Sequence, residues 1–490
     1  MDTSMRLFYR MIEPGYRRAA RLAVLLALVA CGPMARQRGA TVMFASGADL
    51  QSINPLLTVH PLARQVQRYV LFTTLVRYDS AMAVQPYLAR SWHWSADHRV
   101  LTFILHGDVP WHDGQLTTAR DAAWTLDAAR DSATGYPRYS DLAALEQVQA
   151  SDDTTLVLRF GVAQPSLPDV LTDLAILPEH LLGSVPHGDL RRAGFNEHPV
   201  GNGPFRFVTH EPNRRWVFQR NDSFPESLGG PPALERFIVV VVDEPATKLA
   251  ALTSGELDFA GIQPAHAAFV RRNPDLAVVT YPLLFTYGIV LNTRHPPFDQ
   301  LEVRQALSSA LDRQEIVDGY LFGFGTPAWG PVPPDLPGAL YEGRQSTVDS
   351  RRPTTVDRRL SFQLLTVGSG EAAMEQLVQA QLARAGFDVH IRQMELSAFL
   401  DRVYGPSHDF DAAVLGIPGD PGLGYLAPLL ELSGIRPRGD AAMEQHIFHD
   451  QVPVAFLYHA RGLQGMNRRV EHVRMDLRGE LPTVARWSVR

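Results

Sequence analysis

Among its 490 residues the chain has one cysteine, at position 31. One thiol excludes an internal disulfide and any zinc site built from paired cysteines, so packing must hold the folded part together. Beyond that position there is no apolar run of the roughly twenty residues a helix needs to cross a bilayer. An excess of basic charge is missing too: 46 Lys and Arg face 52 Asp and Glu, for a formal net charge of -6 and a sequence pI near 6.3. Nucleic-acid binders carry a basic face, and none is legible here. The arginines that do cluster, Arg351-Arg352 and Arg358-Arg359, sit among Pro and Asp and read as a solvated loop. Also missing are a serine nucleophile elbow and a phosphate-cradling loop. Gly201-Asn202-Gly203 and Gly323-Phe324-Gly325 lack the spacing of a dinucleotide site and read as turns.

What is present begins with the setting of Cys31. Arg17, Arg18 and Arg21 precede an apolar stretch from Leu22 to Ala30, which is too short to span a membrane. Leu28-Val29-Ala30-Cys31 then places a small residue beside a thiol, the pattern of a cleaved and lipidated leader. Residues 1–30 are expected to be a lipoprotein signal peptide and Cys31 the site of lipid attachment. Such an anchor, with more than one acyl chain, would hold the protein on the extracytoplasmic side of a bacterial membrane, in the periplasm or at the cell surface.

With 45% hydrophobic residues the remainder is long enough for two or three cores. Thr41 to Ala45 reads as a first strand, and the spacing of Val66, Tyr69, Val70, Phe72 and Leu75 predicts a helix over 65–76. Trp92-His93-Trp94, a turn at Asp97-His98 and alternating Leu101, Phe103 and Leu105 predict a hairpin. Trp111-His112-Asp113-Gly114 predicts a turn, and Thr117-Thr118 a helix start continuing to Ala129. His112-Asp113 has the composition of a base and its orienting carboxylate, but adjacent residues in a tight turn read as structural. Glu444, His446 and His449 lack the spacing of a zinc helix, and solvent-facing histidines are expected there. No catalytic residue, metal or cofactor is indicated.

Several blocks follow one another in the order of a known family. Ser91 to Asp121 resembles its "LA-SW…W-DG-…T-DV" run, and Pro199-Val200-Gly201-Asn202-Gly203-Pro204-Phe205 its "P-GTGPY" turn. Arg220-Asn221-Asp222 and Gly255-Glu256-Leu257-Asp258 resemble "RN-Y" and "AL-sGeiD". Leu291-Asn292-Thr293, Pro297-Phe298, Val303 to Leu307 and Ala310 to Arg313 resemble "NT-PPF-D-VRQAL-AID", with Pro331 to Pro334 at its "pvpp" loop and Val452 to Tyr458 at its "P-ipLy" strand. Together these blocks resemble the bacterial extracellular solute-binding proteins of family 5, the substrate-binding components of peptide and nickel ABC importers.

The resemblance implies an α/β, two-lobed periplasmic-binding-protein fold with a hinge and an inserted subdomain. It divides the chain into 31–80 and 191–285 of the first lobe, an insert at 81–190, a second lobe at 286–460 and a return to the first lobe at 461–490. It implies a monomer that captures a peptide or peptide-like solute for ABC permease membrane subunits. The rival reading is an interaction or chaperone lipoprotein on the same fold without transport; an extracytoplasmic hydrolase ranks last. Candidate ligand-binding residues are Asn292, Gly416, Ile417 and Asp420. The family's "W-T-G-D-N-G-D-P" segment corresponds to Val414 to Pro421, which puts Ile417 where the family has the aspartate that pairs a peptide's ammonium. An isoleucine cannot do this, so amine-blocked or uncharged solutes are expected to bind at least as well as free amines unless Asp420 takes over; capping the turn before Pro421 is its other role. Between Leu430 and Val452 the chain is shorter than the family pattern, so the second lobe is expected to be trimmed near 432–450.

Overall fold

The computed structural model describes residues 39–58, 60–340, 360–368 and 370–490; Cys31, the leader and the arginine pairs at 351–359 lie outside them. Strands in chain order are β1 (Thr41–Ser46), β2 (Val76–Tyr78), β3 (Val84–Pro86), β4 (Ala89–Trp94), β5 (Val100–Leu105), β6 (Leu145–Ala150), β7 (Thr155–Phe160), β8 (Phe205–Glu211), β9 (Arg215–Arg220) and β10 (Arg236–Val241). They continue with β11 (Phe259–Gly261), β12 (Leu276–Leu291), β13 (Gly325–Pro327), β14 (Leu360–Val367), β15 (Phe387–Met394), β16 (Ala412–Pro418), β17 (Val454–Asn467), β18 (Val470–Glu471) and β19 (Ser488–Val489).

The main sheet runs β15-β14-β16-β12-β17-β11-β1-β10-β9-β8, with β13 also on β17. Its parallel pairs, β1 with β10 and β11, and β14 with β15 and β16, alongside antiparallel ones such as β10-β9-β8, make the fold mixed α/β. The long strands β12 and β17 pair antiparallel through the middle, and their register breaks between Pro282 and Thr286. On one side of the break β17 pairs β11; on the other β12 pairs β16. The cores separate in the same way. Val42, Phe44, Phe103, Trp216, Phe237 and Trp487 share one cluster, while the apolar residues from Ile289 to Tyr458 form two others. Residues 81–190 carry the sheet β4-β5-β7-β6, whose Leu101, Phe103, Leu156 and Leu158 join the cluster of Val42.

The tail is tied to the first strand by charge. Asp258 is fully buried, accepts from Met43 N at 2.9 Å and takes both Nε and Nη2 of Arg469 at 2.7 Å. Arg469 Nη2 also reaches Thr41 O at 2.7 Å. A two-point arginine–carboxylate bond fixes orientation as well as contact.

The predicted first strand and hairpin form, with Leu101, Phe103 and Leu105 turned inward. The helix Ala119–Ala129 starts at an N-cap Thr118 whose hydroxyl accepts from Arg120 N, with Asp121 accepting from Thr118 N. One element differs: the helix expected over 65–76 begins at Pro61 and ends at Leu71, its last five residues forming a π-turn. Proline suits the first helical turn because it needs no amide partner there, and His60 Nδ1 accepts from Ala63 N. The exit is forced by the turn at Gly201-Asn202-Gly203: Gly203 N donates to Leu71 O, and Asn202 Oδ1 accepts from Thr73 N at 2.9 Å. A Cβ on Gly201 would lie 1.9 Å from Leu71 O, so only glycine fits that approach. His112 serves the same turn, accepting from Gly201 N through Nδ1 and bonding Gly203 O through Nε2; burial holds its pKa down at about 4.

Between Leu430 and Val452 the chain forms two helices, Leu426–Ser433 and Ala441–Gln451. Gly434 stops the first in the left-handed region and Asp440 caps the second by accepting from Met443 N. Leu429, Leu430, Leu432, Ile447 and Phe448 pack in one cluster.

Candidate ligand-binding site

Beyond β16 the chain makes a turn from Gly419 to Tyr425. Gly419 N donates to Leu284 O at 2.8 Å, inside the register break of β12. Tyr425 Oη donates to Pro331 O at 3.0 Å, the carbonyl that Thr286 Oγ1 also reaches at 3.2 Å. Thr286 in turn bonds His459 Nδ1 at 2.8 Å, and burial keeps His459 neutral with a pKa of about 4. The turn is thus fastened to the strand crossing.

Asp420 stands within this turn. Its carboxylate accepts from Gly424 N at 3.1 Å and Tyr425 N at 3.2 Å, and it has no ion pair among the described residues. Burial pushes its pKa up and the charge of Asp169 adds to this, against the two amides and Arg138.

Asp169 belongs to the opposite wall. It precedes the short helix Val170–Asp173 and sits close to the Asp420 turn: a Cβ on Gly422 would lie 3.9 Å from its own Cβ. Asp169 accepts from Tyr78 Oη at 2.9 Å and from Arg138 Nη2 at 3.1 Å. One helical turn on, Asp173 is only 7% exposed and meets three guanidiniums: Arg68 at 2.7 Å, Arg138 at 3.0 Å, and Arg64. Burial raises its pKa, but Arg68, Arg64 and Arg138 outweigh burial and hold it at about 2. Met82, at the tip of the β2–β3 hairpin, and Leu477 of the tail pack against the cluster of Leu415 and Phe456, so the halves touch around this site.

The four candidate residues do not converge. Ile417, 6% exposed, joins Leu415, Phe456 and Val290 in an apolar cluster. Gly416 pairs with Tyr287, and a Cβ on it would meet the Phe285 ring at 2.6 Å. Asn292, fully buried, lies past the far end of β12, where its Nδ2 donates to His408 O and Phe410 O at 2.9 Å. Asp420 alone of the four faces the opposite wall. Asp169, Asp173, Arg138, Arg64, Arg68 and Tyr78 were not among the candidates. Their local signal is spacing: Arg64 and Arg68, like Asp169 and Asp173, are four residues apart and share a helix face. No group of three His, Cys, Asp or Glu among the described residues could hold a metal, and His446 is exposed.

Two halves with separate cores, joined by long crossing strands and meeting at a polar site, define a two-lobed binding protein. The comparisons agree. Residues 83–431 match the family of bacterial extracellular solute-binding proteins, family 5 Middle, and the chain belongs to that family. It is 26% identical over 405 residues to the oligopeptide-binding protein AppA of Bacillus subtilis, covering 78% of this chain and 74% of that protein. It is also 26% identical over 441 residues to di/tripeptide-binding protein 2 of Pseudomonas aeruginosa, covering 83% and 82%. The structure of AppA with a nonapeptide superposes with a TM-score of 0.71 at 22% identity over 93% of this chain and 99% of that one. The ABC transporter substrate-binding protein CtaP of Listeria monocytogenes gives 0.79 at 18% over 92% and 99%; at such identities the likeness speaks for the fold. The protein is a solute-binding protein by family, and these relatives do not favour an interaction module without transport. The family is one of extracellular binding proteins, and no helix among the described residues is long and apolar enough to cross a membrane.

Proposed function

We propose that the protein captures peptides for an ABC permease, without catalysis, and grips them between the Asp420 turn and the wall of Asp169, Arg138 and Tyr78. The observation that carries this is Asp420 itself: a half-buried carboxylate with two amide partners and no ion pair among the described residues. A buried charge without a counter-charge is costly, and a peptide's terminal ammonium relieves that cost. Ile417, enclosed in hydrocarbon, is left as scaffold, and Asn292 as a brace for the end of β12. The names of the oligopeptide- and di/tripeptide-binding relatives support a peptide ligand. The hinge is assigned to the register break at Pro282 to Thr286 and its partner stretch of β17, with 286–460 as the second lobe. One chain supplies both walls, which supports a monomer.

Attachment through Cys31 is part of the same reading and rests on the Leu28-to-Cys31 box. Cys31→Ala is expected to yield a protein without acyl mass that leaves the membrane fraction; an acylated product of this variant contradicts the assignment. For the ligand, native mass spectrometry of protein purified from its own host is the direct test. Peptide adducts that exchange with added peptide are expected, whereas a protein that stays empty when offered a mixed peptide pool contradicts the reading.

A further inference from the structure

A second cavity of about 600 Å³, which shares Tyr78 with the wall facing Asp420, lies within the first half and the tail, a size typical of small-molecule sites. The π-turn Gln67–Leu71, the β2–β3 hairpin, the loop around Glu226 and the tail from Arg474 to Arg486 wall it; none of its lining residues falls in 286–460. Five arginines line it, Arg68, Arg77, Arg474, Arg478 and Arg486, against two acids, Asp79 and Glu226.

The acids balance them only in part. Asp79 accepts from Ala81 N, Ala83 N and Gln85 Nε2, all within 3.0 Å, and its charge acts on Arg478, while Glu226 is exposed. Asp476 takes Arg478 in a two-point bond and also faces Arg474 at 3.6 Å, so one charge serves two. Asp173, shared among three arginines, leaves Arg68 Nε buried without a partner. Arg77 lies over the Tyr87 ring at 4.3 Å and, like Arg486, has no carboxylate partner among the described residues.

We propose that this cavity is an anion site, beside the peptide-gripping wall with which it shares Tyr78, for a compact polyanion whose carboxylate or phosphate oxygens are gripped by Arg77 and Arg486, with Arg474 and Arg478 adding positive charge to the same lining. A guanidinium offers two parallel N–H donors to either oxyanion, and stacking on Tyr87 leaves the edge of Arg77 free for them. The test titrates the purified protein with pyrophosphate and with citrate at constant ionic strength, by calorimetry and thermal melting. Saturable binding with a rise in melting temperature is expected from at least one of them, while sodium chloride at equal ionic strength gives none. A pyrophosphate response alone identifies a phosphate ligand, and a citrate response alone a carboxylate. Arg77→Gln with Arg486→Gln should weaken binding by about tenfold or more. Arg486→Gln alone, at an exposed side chain, should weaken it less and leave peptide affinity unchanged. Absence of saturable binding below about 10 mM, or equal affinity in the wild type and both variants, overturns the proposal.

Discussion

Asp173 and Asp420 are carboxylates near the same contact between the two halves, and their surroundings are opposite. Asp173 is almost fully buried yet over-supplied with cations, and its pKa is driven down to about 2. Asp420 is less buried, has only two amide partners, and its pKa is driven up. Burial costs both of them; the difference is whether the fold supplies the counter-charge. Where it does, the carboxylate is part of the framework. Where it does not, the charge is free to meet a ligand, which is the role proposed for Asp420.

The largest effect should come from breaking the compensated side. Asp173→Ala leaves Arg64, Arg68 and Arg138 facing one another, and about 3–5 kcal/mol of unfolding free energy should be lost in urea denaturation. A loss below about 1 kcal/mol would mean that water already compensates these arginines. Ile417→Asp is expected to cost a similar several kcal/mol, because it buries a carboxylate among Leu415, Phe456 and Val290. If this variant instead stays stable and gains preference for free-amine peptides, Ile417 faces the ligand and Asp420 does not.

Acid should separate the two carboxylates with opposite signs. The folded-state pKa of Asp173 is depressed, so its contribution is present above the ordinary aspartate value near ~3.9 and is lost as pH falls toward 2. For Asp420 the folded-state pKa is raised, so the cost of its charge is relieved as pH falls through that raised value. Peptide binding needs the charged form, so affinity should fall over the same range in which Asp420 takes up its proton. Affinity that is flat down to the ordinary aspartate range would remove Asp420 from the site. The smallest effect is expected at Asp113, whose carboxylate accepts from Gln115 N at 3.2 Å and bonds His180 Nε2 at 2.8 Å. Asp113→Ala should cost about 1 kcal/mol and leave peptide affinity unchanged; a large affinity loss at unaltered stability would make that turn part of a site.

Legibility in the sequence followed the range of the interactions. The β4–β5 hairpin and the Thr118 cap depend on neighbours a few residues away, and each is where the pattern puts it. The helix expected over 65–76 slid because its exit is set by Asn202 and Gly203, far along the chain. For the same reason the charge network was missed: Arg64 and Asp173 are 109 residues apart, and four-residue spacing shows a shared face without showing what it meets. Motif matching singled out Ile417 by position, whereas strand alternation puts its side chain with Leu415 on the apolar face.

Calorimetric titration of a matched pair of peptides, one with a free amino terminus and one acetylated, into the wild type and Asp420→Asn tests the central claim most directly. The account predicts that the wild type prefers the free amine by at least about tenfold and that Asp420→Asn, with stability equal to or above that of the wild type, abolishes the preference. Equal affinity of the wild type for both peptides, or a preference that survives in Asp420→Asn, would contradict it.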